Sequence, residues 1–272
     1  MEYKHIIYQP GKVARVILNR PKYRNALSYT VMEELLDAFR QGELDENVKV
    51  IVLSGEGPHF STGHDLGTPE FLAECKERGW STDDPETHYR NEEYYWSRTF
   101  LELRDILKPT IAMVQGLAVF AGTMLLSAMD IVFAADDAQF VIPTGQYLAD
   151  AWMLGPRKAK ELIFEHRALP AREALECGLI NRVYPLDRLE KETLAFANRV
   201  ADRNVIRDKM VINHMMDTMG FTTEMRDGAK ALLQGRRRGL LGDLEAKGEG
   251  KGIAGVPLAL ENLRLKQESE KM

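Results

Sequence analysis

Phe60-Ser61-Thr62-Gly63-His64-Asp65-Leu66 is a glycine-bearing turn, and what stands on either side of it decides the fold. Before it runs Val48–Leu53 (VKVIVL), apolar and β-branched enough to read as a buried strand, closed by Gly55, Gly57 and Pro58. After it the spacing predicts a polar helix over 69–78. The order strand, loop, helix recurs upstream, where Val13–Leu18 (VARVIL) leaves the Pro10-Gly11 turn. Ser28 then N-caps a helix with Val31, Met32, Leu35, Leu36 and Phe39 on one face. It recurs downstream as Thr110–Val114 (TIAMV), the glycine-containing segment 116–122 and a helix over 124–129. Strands are expected at 131–134, 139–142 and 180–184, and helices at 94–107, 156–166 and 171–177. From 189 onward the pattern is helical, over 189–203, 207–219, 222–234 and 258–267. The polar stretch 79–91 reads as a mobile surface insertion, and the glycine-rich 239–255 as a loose connection.

Composition narrows the function. The chain has 272 residues, 44% hydrophobic and 28% charged, which suits one large globular domain or a domain with an extension. A formal net charge of -5 is the opposite of a nucleic-acid footprint. Two cysteines, Cys75 and Cys177, build neither a disulfide framework nor a four-thiolate zinc site, and a reducing cytoplasm is the expected setting. The start MEYKHIIYQ has no apolar h-region, and no stretch reaches the length of a membrane span.

Six collinear segments resemble the crotonase (enoyl-CoA hydratase/isomerase) superfamily. They are Asn19-Arg20-Pro21 through Asn25-Ala26-Leu27, Phe60–Leu66, Lys108–Gly116, Met129-Asp130-Ile131, Ala138-Gln139-Phe140 and Ala174–Val183. The resemblance implies an α/β spiral of ββα repeats over residues 1–200, with a helical C-terminal oligomerisation region over 201–272. It implies an acyl-CoA thioester as substrate, no cofactor beyond that coenzyme A, and a homotrimer or hexamer. Such chemistry places negative charge on the thioester oxygen, and two backbone N–H donors aimed at it supply the stabilisation. By match to the family motif the donors are the N–H groups of His64 and Ala121, the second at the start of a helix whose dipole adds to the local potential. Contacts with the rest of the acyl-CoA are implied at Arg24 and Ala26, at Thr62, Asp65 and Leu66, and at Thr144. Arg236-Arg237-Arg238 reads as a solvated helix end that could also meet phosphates.

The chain departs from the pattern at both proton-transfer positions. Where the resemblance implies two glutamates, this sequence has Met124 and Thr144, and neither transfers a proton at neutral pH. The resemblance implies a substitute, the aspartate that several isomerases and dehalogenases of the superfamily use a few residues further on. Asp150 is the candidate for it, a carboxyl raised in pKa by an apolar wall such as Trp152 and able to shuttle a proton along an enolate. His64 could also act through its imidazole. Phe120 and Met124 should make the acyl pocket more apolar. Double-bond isomerisation is the favoured reaction, followed by a hydratase or C–C hydrolase with a non-standard acid and base. A noncatalytic acyl-CoA-binding scaffold is the rival from outside enzymology.

Overall fold

The computed structural model describes residues 2–80, 85–143, 149–227 and 255–270. Its main sheet has six strands in the order β1-β2-β3-β4-β6-β9. These are β1 (Ile6–Gln9), β2 (Val13–Leu18), β3 (Val50–Gly55), β4 (Thr110–Val114), β6 (Ile131–Ala135) and β9 (Arg182–Tyr184). The β1–β2 hairpin is antiparallel and every later pairing is parallel. Both faces of the sheet are covered, which is why its strands are nearly continuous apolar runs. Ile51 and Leu53 of β3 point into the main core with Met32, Leu35 and Phe39 of α1 (Tyr29–Leu44). Val50 and Val52 point the other way, against Leu189, Ala197 and Ala201 of α9 (Leu186–Ala201).

Each inner strand continues into a short segment of a second layer and then into a helix, which generates the spiral. β2 is followed by Leu27 and α1, and β3 by 61–64 and α2 (Pro69–Glu77). β4 is followed by β5 (Leu117–Val119) and α5 (Ala121–Ser127), and β6 by β7 (Gln139–Val141), α6 (Ala149–Leu154) and α7 (Pro156–Glu165). The second layer runs Leu27, 61–64, β5, β7 and β8 (Leu169–Pro170), the first pairings being single bridges, Leu27 with His64 and Ser61 with Ala118. Its edges meet because glycine allows it. A Cβ on Gly122 would lie 2.7 Å from the Ser61 carbonyl oxygen, and one on Gly116 2.0 Å from that of Pro58.

Ser28 caps α1 as expected, its hydroxyl accepting from Val31 N–H. α8 (Ala171–Glu176) is likewise where the pattern put it. Three expectations fail. Strand β3 starts two residues late, because Val48 is held by a turn hydrogen bond to Asp45. Of the presumed mobile insertion, Pro85–Asn91 is helix α3, while 81–84 lie outside the described residues. The single helix expected over 94–107 is a π-helical segment, Glu92–Arg98, followed by α4 (Thr99–Asp105). A wider π turn changes which side chains face inward, and buries Tyr95 and Trp96 together.

The C-terminal helices pack on this core. α10 (Ile206–Thr218) is tied by Lys209 to Asp130 at 2.8 Å and by Arg104 to Asp217 at 2.8 Å. The last described helix, α11 (Gly255–Ser269), inserts Ala259 and Leu263 beside Val119, Val141 and Ala168. The loose connection read at 239–255 and the Arg236-Arg237-Arg238 run fall outside the described residues, Gly255 excepted.

Candidate active site

The second layer contains an interrupted ladder. Ser61 N–H donates to Leu117 C=O at 3.1 Å and Val119 N–H donates back to Ser61 C=O at 3.0 Å, as parallel strands do. The rung that should follow joins Ala121 N–H to Gly63 C=O, and it is not made. Gly63 C=O instead accepts from Leu27 N–H at 2.7 Å, while Gly63 N–H turns to its own neighbour, Ser61 Oγ, at 3.1 Å. The two segments nevertheless remain in contact. A Cβ on Gly63, which has φ +83°, would lie 2.5 Å from Val119 O and 3.1 Å from Ala121 N. Ala121 is the first residue of α5, so its N–H has no acceptor within the helix. No other acceptor is paired with it among the described residues.

Phe120 makes this departure possible at the cost of backbone strain. Its φ is 47° and its ψ −111°, a conformation outside the ordinary regions for a bulky residue. It is held by Phe120 N–H to Val141 C=O at 2.8 Å, and by Met124 N–H and Thr123 Oγ1–H to Phe120 C=O at 3.0 and 2.8 Å. Strained backbone persists only where surrounding bonds over-determine it.

The other side of the gap is equally fixed. Asp65 N–H donates to Leu27 C=O at 2.8 Å, so His64 pairs alongside Leu27 with its own N–H directed to the opposite side of the strand. The Asp65 carboxylate is committed inside the protein, to buried Arg20 at 2.9 Å, to Thr68 Oγ1 and to Thr68 N–H. Any contact it makes with a ligand is therefore through backbone. Arg20 also donates to Ala26 C=O, and Asn25 bridges Arg20 N–H to the carbonyls of Glu56 and His59. Buried Ala26 thus belongs to the frame of the site. Arg24 is exposed, in the left-handed region at φ 50°, with its carbonyl accepting from Thr62 N–H and no ion pair among the described residues. Leu66 is 56% exposed at the rim. Thr144 lies outside the described residues.

Asp150, on α6, is 2% exposed and reaches α5. Its Oδ2 is 2.9 Å from Thr123 Oγ1, and among the described residues its Oδ1 has no hydrogen-bond partner. Burial pushes its pKa up to about 7, outweighing the Thr123 hydrogen bond that lowers it. Trp152 of the same helix packs its ring against Phe221, centroids 5.9 Å apart. Met124 is fully buried in the main core, and the Phe120 ring packs with Val119, Val141 and α11, so their bulk goes into packing.

Two residues of the site carried no signal in the sequence. Thr123 looks like an ordinary helix residue, and only its approach to Asp150 marks it. Trp96 arrives by the π-helical register and packs against His64, ring centroids 4.0 Å apart and planes tilted by 54°. Among the described residues no group of His, Cys, Asp and Glu could hold a metal, and no helix is long and apolar enough to cross a membrane.

The fold defines a class: α/β spirals of strand, second-layer segment and helix. Comparison with known proteins identifies the family. The enoyl-CoA hydratase/isomerase family matches residues 9–233. EchA13 of Mycobacterium tuberculosis (strain ATCC 25618 / H37Rv), assigned as an enoyl-CoA hydratase, is 32% identical over 248 residues, 82% of this chain and 78% of that protein. Enoyl-CoA hydratase domain-containing protein 3, mitochondrial, of Danio rerio is 33% identical over 219 residues, 76% of this chain and 72% of that protein. A solved Mycobacterium thermoresistibile structure, also assigned as an enoyl-CoA hydratase, superposes with a TM-score of 0.78 at 33% identity, covering 87% of this chain and 96% of that one. The chain belongs to the enoyl-CoA hydratase/isomerase family, within the crotonase superfamily, and has its fold.

Proposed function

We propose that the protein binds an acyl-CoA thioester with the thioester oxygen between the N–H groups of His64 and Ala121, and that Asp150 moves a proton on the bound acyl chain. The carrying observation is the missing rung. A ladder that stops with Ala121 N–H unclaimed, held against Gly63 by a strained Phe120, is the arrangement a backbone oxyanion site needs. Family membership supports the substrate class.

The reaction that fits is double-bond isomerisation of a 3-enoyl thioester. Asp150 as carboxylate takes a proton from the α-carbon, and the C–H electron pair moves through the carbonyl to the thioester oxygen, giving a dienolate. The same carboxyl returns the proton at the γ-carbon, and the electrons come back to place the double bond in conjugation. One group suffices for both transfers, and a pKa of about 7 lets it act in both directions near neutrality. Hydration by the usual acid pair is disfavoured by buried Met124, which offers no proton. Arg24 is available to the nucleotide phosphates from its exposed site beside Thr62.

We further assign the protein to the cytoplasm, which its free Cys75 and Cys177 suit, and to a homotrimer or dimer of trimers. In favour of assembly, α10 leaves Met210, Val211, Ile212 and Met215 exposed, and Met219 just past its end is exposed too.

The test is incubation with 2-enoyl, 3-enoyl and cyclic acyl-CoA thioesters in deuterated water, following deuterium at the α-carbon and the ultraviolet absorbance of conjugated product. Exchange and conversion of 3-enoyl substrates are the expected result. Tight thioester binding with neither, across the panel, would make the protein a noncatalytic acyl-CoA-binding member of its family.

A further inference from the structure

Thr123 Oγ1 has one proton and two acceptors. It lies 2.8 Å from Phe120 O and 2.9 Å from Asp150 Oδ2, and it is fully buried, so water takes no part in the choice. Phe120 C=O belongs to the same peptide group as Ala121 N–H. What the hydroxyl does at one end of that peptide is felt at the other, because a carbonyl that accepts a stronger hydrogen bond polarises its N–H.

We propose that Thr123 is a positioning residue that couples the proton on Asp150 to the donor strength of the Ala121 amide. While Asp150 is a carboxylate, its Oδ2 is the stronger acceptor and holds the Thr123 proton. Phe120 C=O then has Met124 N–H alone. When Asp150 takes the substrate's α-proton on Oδ1, the oxygen without a partner among the described residues, the carboxyl becomes neutral and Oδ2 a weaker acceptor. Thr123 rotates its proton to Phe120 C=O, breaking no covalent bond, and the Ala121 N–H is sharpened. The same proton transfer puts negative charge on the thioester oxygen. The donor strengthens at the step where the charge appears, which favours the transition state over the ground state.

Among the described residues, burial and Thr123 are the influences on Asp150, with no charged side chain from any packed element contributing. The coupling therefore runs through one hydroxyl. It rests on the acyl-CoA reading above, and its test separates the two.

Thr123→Val removes the hydroxyl at nearly constant volume, and Thr123→Ser restores it. The valine variant should bind a saturated acyl-CoA with little change in affinity while α-proton exchange slows about tenfold, the effect being on kcat rather than KM. Because the Thr123 hydrogen bond lowers the Asp150 pKa, the midpoint of the pH profile should move up in the valine variant and return in the serine variant. Infrared spectra of a carbonyl-labelled thioester bound to the wild-type protein should show the C=O stretch shifting as Asp150 titrates, and not in Thr123→Val. A stretch indifferent to pH in the wild type overturns the coupling, as does a serine variant that behaves like valine. The acyl-CoA reading fails separately, if the wild type shows no exchange or Asp150→Asn keeps all of it.

Discussion

Asp150→Asn should make the protein less active and, in alkaline solution, more stable. In the protein the carboxyl has a pKa of about 7 against the ordinary 3.8, so ionising it inside costs about 4 kcal/mol more than in the unfolded chain. The raised value fixes the sign. Between the two pKa values the unfolded chain has released this proton and the folded protein has kept it, so unfolding is favoured as pH rises. Stability from this group is complete below about pH 4, declines toward pH 7 and is then constant at its lowest. Asparagine has no such cost, and its amide oxygen can still accept from Thr123. Urea unfolding of both proteins near pH 5 and again near pH 8.5 cancels every other titrating group, since all are shared. The wild type should lose about 3 kcal/mol relative to the variant between those conditions, because about two of the three pH units of the shift lie between them. Deuterium exchange at the α-carbon should fall about 100-fold in the same variant. If the stability difference is the same at both pH values, Asp150 ionises as an ordinary surface carboxyl would, and the burial argument for its chemistry is wrong.

Two further substitutions probe the interrupted ladder. Gly63→Ala puts a methyl 2.5 Å from Val119 O at φ +83°, so about 2 to 5 kcal/mol of stability should be lost and the two segments forced apart by roughly 1 Å. Displacement on that scale should cut exchange by about 100-fold, and thermal unfolding with near-wild-type turnover in this variant would show that the contact does not set the site. At Phe120, glycine should be more stable than alanine by about 1 to 3 kcal/mol, since both remove the ring but only glycine relieves the φ of 47°. Equal melting temperatures for the two would mean that the backbone there is unstrained.

The fold was legible where one physical rule acts alone. β2, β4, β6 and α1 are apolar runs or faces flanked by turn and cap residues, and Ser28 announces its helix by chemistry that needs only local backbone. Local rules failed at 85–98. Whether that stretch is loop, α-helix or π-helix is decided by the burial of Tyr95 and Trp96 against α1 and His64, which no local pattern encodes. The site divides in the same way. His64 and Ala121 were indicated by motif because backbone donors demand a chain path, and the path leaves glycines in the sequence. The roles of Arg20 and Thr123 were not, because an arginine matters to Asp65, and a threonine to Asp150, only after distant segments have met.

The residues packed around α5 have a simple physical reading. Position 124 lies one turn inside a helix whose every residue is buried, and methionine there needs no counter-charge, no water and no partner. A glutamate at that place would have to be kept neutral or hydrogen-bonded in the same surroundings. Asp150 meets the first turn of the same helix from α6, with Thr123 as its one hydrogen-bonding contact among the described residues and one oxygen left unspent there. A carboxyl with a single neutral partner is harder to ionise than one held by several donors, and that is the property a group needs if it must both take and return a proton near neutrality. The backbone part of the site makes no such demand on side chains. Histidine at 64 and phenylalanine at 120 are accommodated because what matters there is that the rung between Gly63 and Ala121 stays open, and Leu27 keeps it open by claiming the Gly63 carbonyl for itself.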